Sequence, residues 1–149
     1  ESVNEDESIS YDALIRSFYL NNCTLRNRKM VFITPCSFKS KDEYVFYADT
    51  RLIYQSLMNK FDSFAGNMSI KDEEVLNHLV RHTKLISYKL RSTFFHLEGI
   101  KIPSFTGEIS IRINGPETLA NLANLLIYFG NWAGVGIKTS LGMGAVKCE

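Results

Sequence analysis

The spacing richest in chemistry lies near the end of the sequence: Gly134-Val-Gly136-Ile-Lys138-Thr139-Ser140-Leu-Gly142-Met-Gly144. Two glycine pairs, each spaced by one apolar residue, flank a Lys-Thr-Ser centre. Glycine lets backbone amides approach an anion with no Cβ in the way, and successive amides can form an anion-holding nest. Lys138 adds charge, and Thr139 and Ser140 add hydroxyl donors. That combination suits a phosphate backbone. A tightly packed connector is the alternative reading, and the loop alone leaves both open. It is not a nucleotide P-loop, because Ile137 stands where that motif needs glycine, nor a dinucleotide fingerprint, because position 139 is Thr. Those loops also run from strand to helix and use a helix N-terminus, whereas this one follows a helical pattern and precedes a short strand.

Other polar groups carry weaker signals. Arg26, Arg28 and Lys29 form the densest basic cluster. Lys89 and Arg91, with Arg112 farther on, fall on the polar side of alternating segments and can form a basic platform or an ordinary solvated face. Phe94 and Phe95 lie beyond the basic stretch, and no RRM signature is present. His78 and His82 have the one-turn spacing that holds zinc. They lack a third ligand and the glutamate of a metalloprotease motif, so they read as a surface pair. His96 reads as a turn residue. No Ser-His-Asp or Cys-His signature is found. Cys23, Cys36 and Cys148 are too few and too scattered for a disulfide framework or a cysteine zinc site. A reducing compartment, the cytoplasm, is the simpler expectation.

The elements that must position these groups follow from periodicity. Ser10 can cap a helix from Tyr11, with Leu14, Ile15, Phe18 and Tyr19 on one face. Residues 25–33 read as a strand that Thr34-Pro35 ends. Residues 44–47 form a short strand, an arm of a hairpin or an edge piece. Asp49 or Thr50 caps a helix with Ile53, Leu57, Phe61 and Phe64 inward, and Gly66-Asn67 stops it. Ser69, followed by Asp72, Glu73 and Glu74, starts another helix, buried through Val75, Leu76, Leu79 and Val80. Residues 84–97 alternate, with Ile86, Tyr88 and Leu90 inward. Residues 102–113 alternate with Ile109, Ile111 and Ile113 inward, and Gly99 lies in the turn between the two. Pro116 opens a helix running to about Phe129, and Gly130 fits the left-handed position after its end. Residues 145–148 make a terminal strand.

The resulting order, β-α-α-β-β-α-β, predicts an α+β, ferredoxin-like (split β-α-β) domain. Its antiparallel sheet has helices on one face and is followed by the C-terminal glycine-rich loop. A length of 149 residues suits one domain, and 45% hydrophobic content excludes wholesale disorder. No apolar run reaches the ~20 residues of a membrane span. The net charge of +1 hides an asymmetry: five of sixteen acids fall in the first twelve residues, with no base among them. From residue 13 on, seventeen bases face eleven acids. A near-neutral total therefore does not exclude a nucleic-acid partner. Residues 1–10 read as an acidic linker remnant and residues 11–149 as the folded domain.

Several motifs together resemble a known family. Pro103-Ser-Phe-Thr-Gly107-Glu-Ile, followed by the 134–144 loop, is similar to the C-terminal half of the CRISPR repeat-RNA processing endoribonucleases of the RAMP superfamily. Thr34-Pro-Cys-Ser-Phe-Lys39, Gln55-Ser-Leu-Met-Asn-Lys60 and Tyr88-Lys-Leu-Arg-Ser-Thr93 match as well. The series resembles most closely the enzyme accompanying type III systems. The resemblance implies two tandem ferredoxin-like domains and metal-independent cleavage of precursor CRISPR RNA within its repeats, with no cofactor. A substrate 2′-hydroxyl would attack the adjacent phosphate, leaving a 2′,3′-cyclic phosphate and a 5′-hydroxyl. It further implies an N-terminal domain, absent from this sequence, that carries most acid–base residues. No catalytic residue is therefore assigned here. Gly134, Gly136, Lys138, Thr139, Ser140, Gly142 and Gly144 match the family loop, which lies near the RNA path. With Lys39, Lys89, Arg91, Arg26 and Arg28 they are the expected RNA-binding residues. Expected partners are repeat RNA, the N-terminal domain and a type III effector complex. Two other readings stay open: a non-catalytic RAMP subunit on guide RNA, and a ferredoxin-like small-molecule regulatory domain.

Overall fold

A computed structural model describes residues 25–65 and 70–149. The predicted first helix, the acidic linker, Cys23, the Gly66-Asn67 stop and Ser69 lie outside the described residues.

The first strand, β1 (Asn27–Cys36), turns Met30 and Phe32 into the core and Lys29 and Val31 to the other face. It runs past Thr34-Pro35, contrary to expectation. The ladder to β5 (Ile100–Ile113) shifts between Phe32 and Cys36, so Pro35 sits in a bulge where no ladder donor is required. The bulge is occupied from the other side: Pro35 O accepts from Gly144 N at 2.8 Å, and Thr34 Oγ1 accepts from Ala145 N at 2.9 Å.

A hairpin follows, β2 (Phe38–Ser40) and β3 (Glu43–Val45), turned by Lys41-Asp42 with φ of 51° and 66°. Helix α1 (Thr50–Ala65) is capped by Asp49, whose Oδ1 accepts from Leu52 N, and buries Ile53, Tyr54, Leu57, Met58 and Phe61. Phe64, expected inward, is exposed at the margin of the core, its ring 5.7 Å from that of Phe129. Helix α2 (Glu73–His82) is capped by Asp72, and Leu76 and Leu79 are its buried residues.

The long strands β4 (Thr83–Leu97) and β5 form an antiparallel ribbon turned at Glu98-Gly99. Ile109, Ile111 and Ile113 are buried as predicted, but Ile86 and Tyr88 are exposed. Ile86 is the extra residue of a bulge between Leu85 and Ser87, and β4 is an edge strand. Helix α3 (Glu117–Ala133) continues through Gly130, which is buried within it. A Cβ there would lie 3.2 Å from Leu57 of α1, so Gly130 serves helix contact, and the positive φ falls on Gly134 instead. A 3-10 turn (Thr139–Leu141) and β6 (Val146–Cys148) end the chain.

The sheet order is β4-β5-β1-β6, with every pair antiparallel. With α1 and α2 between β1 and β4, and α3 between β5 and β6, this is the ferredoxin-like arrangement. The buried helix residues join those of β1 and β5 in one cluster on one face of the sheet.

Candidate nucleic-acid interface

The glycine-rich loop is built as a wall of the fold rather than as an open nest. Its amides are largely used internally. Val135 N donates to Gly144 O, Gly136 N to Ser56 Oγ, Ile137 N to Ser37 O, and Met143 N to Lys138 O. Gly144 N and Ala145 N bond to the β1 bulge. The glycines permit these close approaches. A Cβ on Gly144 would stand 1.9 Å from Val135 O, and one on Gly136 would stand 2.3 Å from Ser37 O. What remains outward is the tip. Lys138, with φ of 54°, and Ser140 are exposed, whereas Thr139 is half-buried and accepts a hydrogen bond from Lys60 Nζ at 3.1 Å. The predicted anion nest of amides is thus replaced by two exposed side chains on a sealed support.

Beside this wall lies a groove of about 470 Å³ between the β2–β3 hairpin and α1. Lys39, Lys41 and Lys60 line it with Gln55, Ser56 and Asn59, and no acid is among its lining residues. Lys39 also lies over the Tyr44 ring, 5.2 Å from its centroid. Burial lowers the pKa of Lys60, against a smaller opposing effect from Cys36. Cys36 itself is fully buried, donates to Val135 O, and has its thiol pushed up to about 12 by desolvation. Cys148 is likewise pushed to about 12.

A second basic surface is the sheet face turned away from the helices. Lys89 pairs in register with Glu108, Arg91 with Thr106, and Lys84 with Arg112. Lys29 forms an ion pair with Glu108 at 3.2 Å, both half-exposed. Lys89 and Arg91 are exposed.

Arg26 and Arg28 belong to neither surface. Arg28 is 9% exposed, and its guanidinium donates to Asn124 Oδ1 and to Glu149 O. Asn124 in turn donates to Leu25 O and Ala120 O. Arg26 donates to Ile113 O and Gly115 O. Arg28, expected among the RNA contacts, is instead turned inward onto Asn124 and the Glu149 carbonyl, and Arg26 spends its guanidinium bonds on the carbonyls of Ile113 and Gly115 at the end of β5.

The structure therefore brings Lys39, Gly136 and the loop together. Lys89 and Arg91 stand apart from them, on the sheet. Sequence reasoning matched the Gln55–Lys60 segment to the family but placed Gln55, Ser56, Asn59, Lys60 and Lys41 in no site. The available signal was the polar pairs Gln55/Asn59 and Ser56/Lys60, each one helical turn apart on an otherwise core-facing helix. The rings of His78 and His82 stack at 6.2 Å, and His82 Nδ1 bonds His78 O. Among the described residues no group of three or more His, Cys, Asp or Glu is placed to hold a metal. No helix among them is long and apolar enough to cross a membrane.

The comparisons with known proteins agree with this architecture. The family profile "CRISPR-associated endoribonuclease Cas6" matches residues 30–146. A Cas6 of Streptococcus thermophilus is 38% identical over 120 residues, covering 80% of this chain and 49% of that protein. One from Mycobacterium tuberculosis is 33% identical over 134 residues, covering 90% of this chain and 42% of its own length. The chain thus spans about half the length of these curated relatives. Among solved structures, a Cas6 product complex superposes with a TM-score of 0.79 at 26% identity, covering 91% of this chain and 56% of the other. Thermus thermophilus Cas6 gives 0.71 at 22% identity, covering 89% and 57%, a likeness of fold. With the profile running through β1, both crossovers and the glycine-rich wall to β6, the chain belongs to the CRISPR-associated endoribonuclease Cas6 family.

Proposed function

We propose that these 149 residues form the C-terminal, RNA-binding domain of an enzyme that cuts precursor CRISPR RNA within its repeats. The observation that carries the reading is the Cas6 family match over residues 30–146 on a ferredoxin-like domain. It also favours this reading over a guide-RNA coat subunit or a metabolite-binding module. In the proposed reaction a general base takes the proton of a substrate 2′-hydroxyl, and its oxygen attacks the adjacent phosphorus. A general acid protonates the departing 5′-oxygen, and the products are a 2′,3′-cyclic phosphate and a 5′-hydroxyl. Cationic groups stabilise the phosphorane, and the scheme calls on no metal. We assign the acid and base to protein outside these residues. Lys138, Ser140 and Lys39 are the proposed backbone contacts at the loop, and Lys89 and Arg91 those on the sheet. The product would pass to a type III effector complex in the cytoplasm, following the motif series that resembles that branch.

The test compares the natural-length protein with this chain on repeat RNA in EDTA. The expected outcome is cleavage at one position within the repeat by the longer protein, with a cyclic-phosphate end, and binding without cleavage by this chain. No cleavage by either, or cleavage only on adding a divalent metal, would refute the reading.

A further inference from the structure

The groove between the β2–β3 hairpin and α1 holds more than cations. Lys39, Lys41 and Lys60 supply positive charge on a wall free of acids. Gln55 and Asn59, one turn apart on α1, present two side-chain amides. Among the described residues neither amide has a hydrogen-bond partner. Leu52 and Ile137, both half-buried, add apolar surface to the lining. A site for a bare anion needs the lysines alone. Lysines beside free amides and an apolar flank match a nucleotide, which has a phosphate, a planar face and a base edge of donors and acceptors. The volume of about 470 Å³ lies in the small-molecule range of about 300–1,000 Å³, enough for one nucleotide and too little for a stretch of duplex.

We propose that this groove takes a single unpaired nucleotide of the bound RNA, with its phosphate on Lys39, Lys41 and Lys60 and its base edge on Gln55 and Asn59. The proposal rests on the RNA-binding reading above and adds a sequence-reading subsite to it. Lys60 has a defined resting place, since its ammonium sits on Thr139 Oγ1 at the base of the loop tip. An incoming phosphate oxygen would replace that hydroxyl as its partner. Ser56 Oγ, which accepts from Gly136 N, holds the glycine wall while this happens.

The test measures binding of the natural-length protein to a repeat RNA blocked at the cleavage site by a 2′-deoxy substitution. A panel of repeats carries one altered unpaired nucleotide each, and nucleoside monophosphates serve as competitors. The wild type should lose about tenfold in affinity when one particular nucleotide is changed. Asn59→Ala and Gln55→Ala should reduce that penalty to about threefold or less and leave the salt dependence unchanged. Lys60→Met and Lys41→Ala should weaken binding to every sequence and reduce the salt slope, together by no more than about 0.7 for the one phosphate they share. Asn59 is exposed, so its variant keeps the test valid if Lys60→Met fails to fold. Unchanged discrimination at every position in both amide variants would overturn the proposal while leaving RNA binding intact. So would a free nucleoside monophosphate that requires Asn59 to bind but does not compete with RNA. A wild type that does not bind repeat RNA would remove the broader reading, and this one with it.

Discussion

Two basic clusters flank the two ends of β1, and they do opposite things. Arg26 and Arg28, at or just before its start, are held by backbone carbonyls and by Asn124. Lys39 and Lys41, in the hairpin after its end, line a groove with Lys60. The arginine cluster is the denser one in sequence, yet it closes the fold, and the lysines face outward. What separates them is the acceptors nearby. A junction of strand ends and helix gives each guanidinium two acceptors inside the fold, whereas the groove offers its lysines hydroxyls, side-chain amides and an aromatic face. Charge density along a chain therefore does not by itself tell which cations the fold leaves open.

The comparison can be tested by perturbing each side. The largest effect is expected at the wall between them. Gly144→Ala places a methyl group 1.9 Å from Val135 O at a φ of 70°. It should cost more than about 4 kcal/mol and leave little soluble protein, read by urea denaturation of whatever folds. Next is Arg28→Ala, which strands the buried Asn124 Oδ1, while the Glu149 carbonyl keeps its bond from Lys29 N. A loss of about 3 kcal/mol, or a melting point lower by about 10 °C, is expected, with RNA affinity of the folded fraction unchanged. An Arg28 variant of normal stability but weakened RNA binding would reverse the assignment.

At neutral pH the last effect is silent, and it emerges only in alkali. Cys36 and Cys148 rise from 9.0 to about 12 in the fold, and Tyr54 from 10.0 to about 12. The folded state holds these protons while the unfolded state releases them. Their contribution is full below pH 9 and is lost as pH rises from 9 towards 12. Each group steepens the fall by up to about 1.4 kcal/mol per pH unit. Lys60, lowered by burial, acts in the opposite direction. Cys36→Ala should flatten the alkaline melting curve, and an identical curve would contradict the buried-thiol assignment.

Much of the architecture was legible in the sequence because it depends on period. The inward faces of α1, α2 and β5, the element order and the Pro116 start all follow from 3.6- and 2-residue patterns. The bulges at Thr34-Pro35 and Ile86 were not, since they are set by hydrogen-bond register with another strand. Gly130 was misread because a glycine that admits a crossing helix and one that ends a helix look alike in one dimension. The groove joins residues 38–41, 52–60 and 136–137, which no local spacing connects. The inward turn of Arg28 depends on Asn124, ninety-six residues away.

Lys41 and Lys138 share one more property. Their φ values are 51° and 54°, a backbone region that costs a side-chain-bearing residue about 1–2 kcal/mol and a glycine almost nothing. Among the described residues glycine takes seven other positive-φ positions, and Asp42 and Glu98 join the two lysines there. At Lys41 the two-residue hairpin turn requires this backbone, and Lys138 takes it as the residue that caps the following 3-10 turn. Each ammonium also hangs from a tight turn rather than a loose loop, so its stem starts from a fixed direction. Less backbone freedom is therefore left to be lost when a ligand arrives.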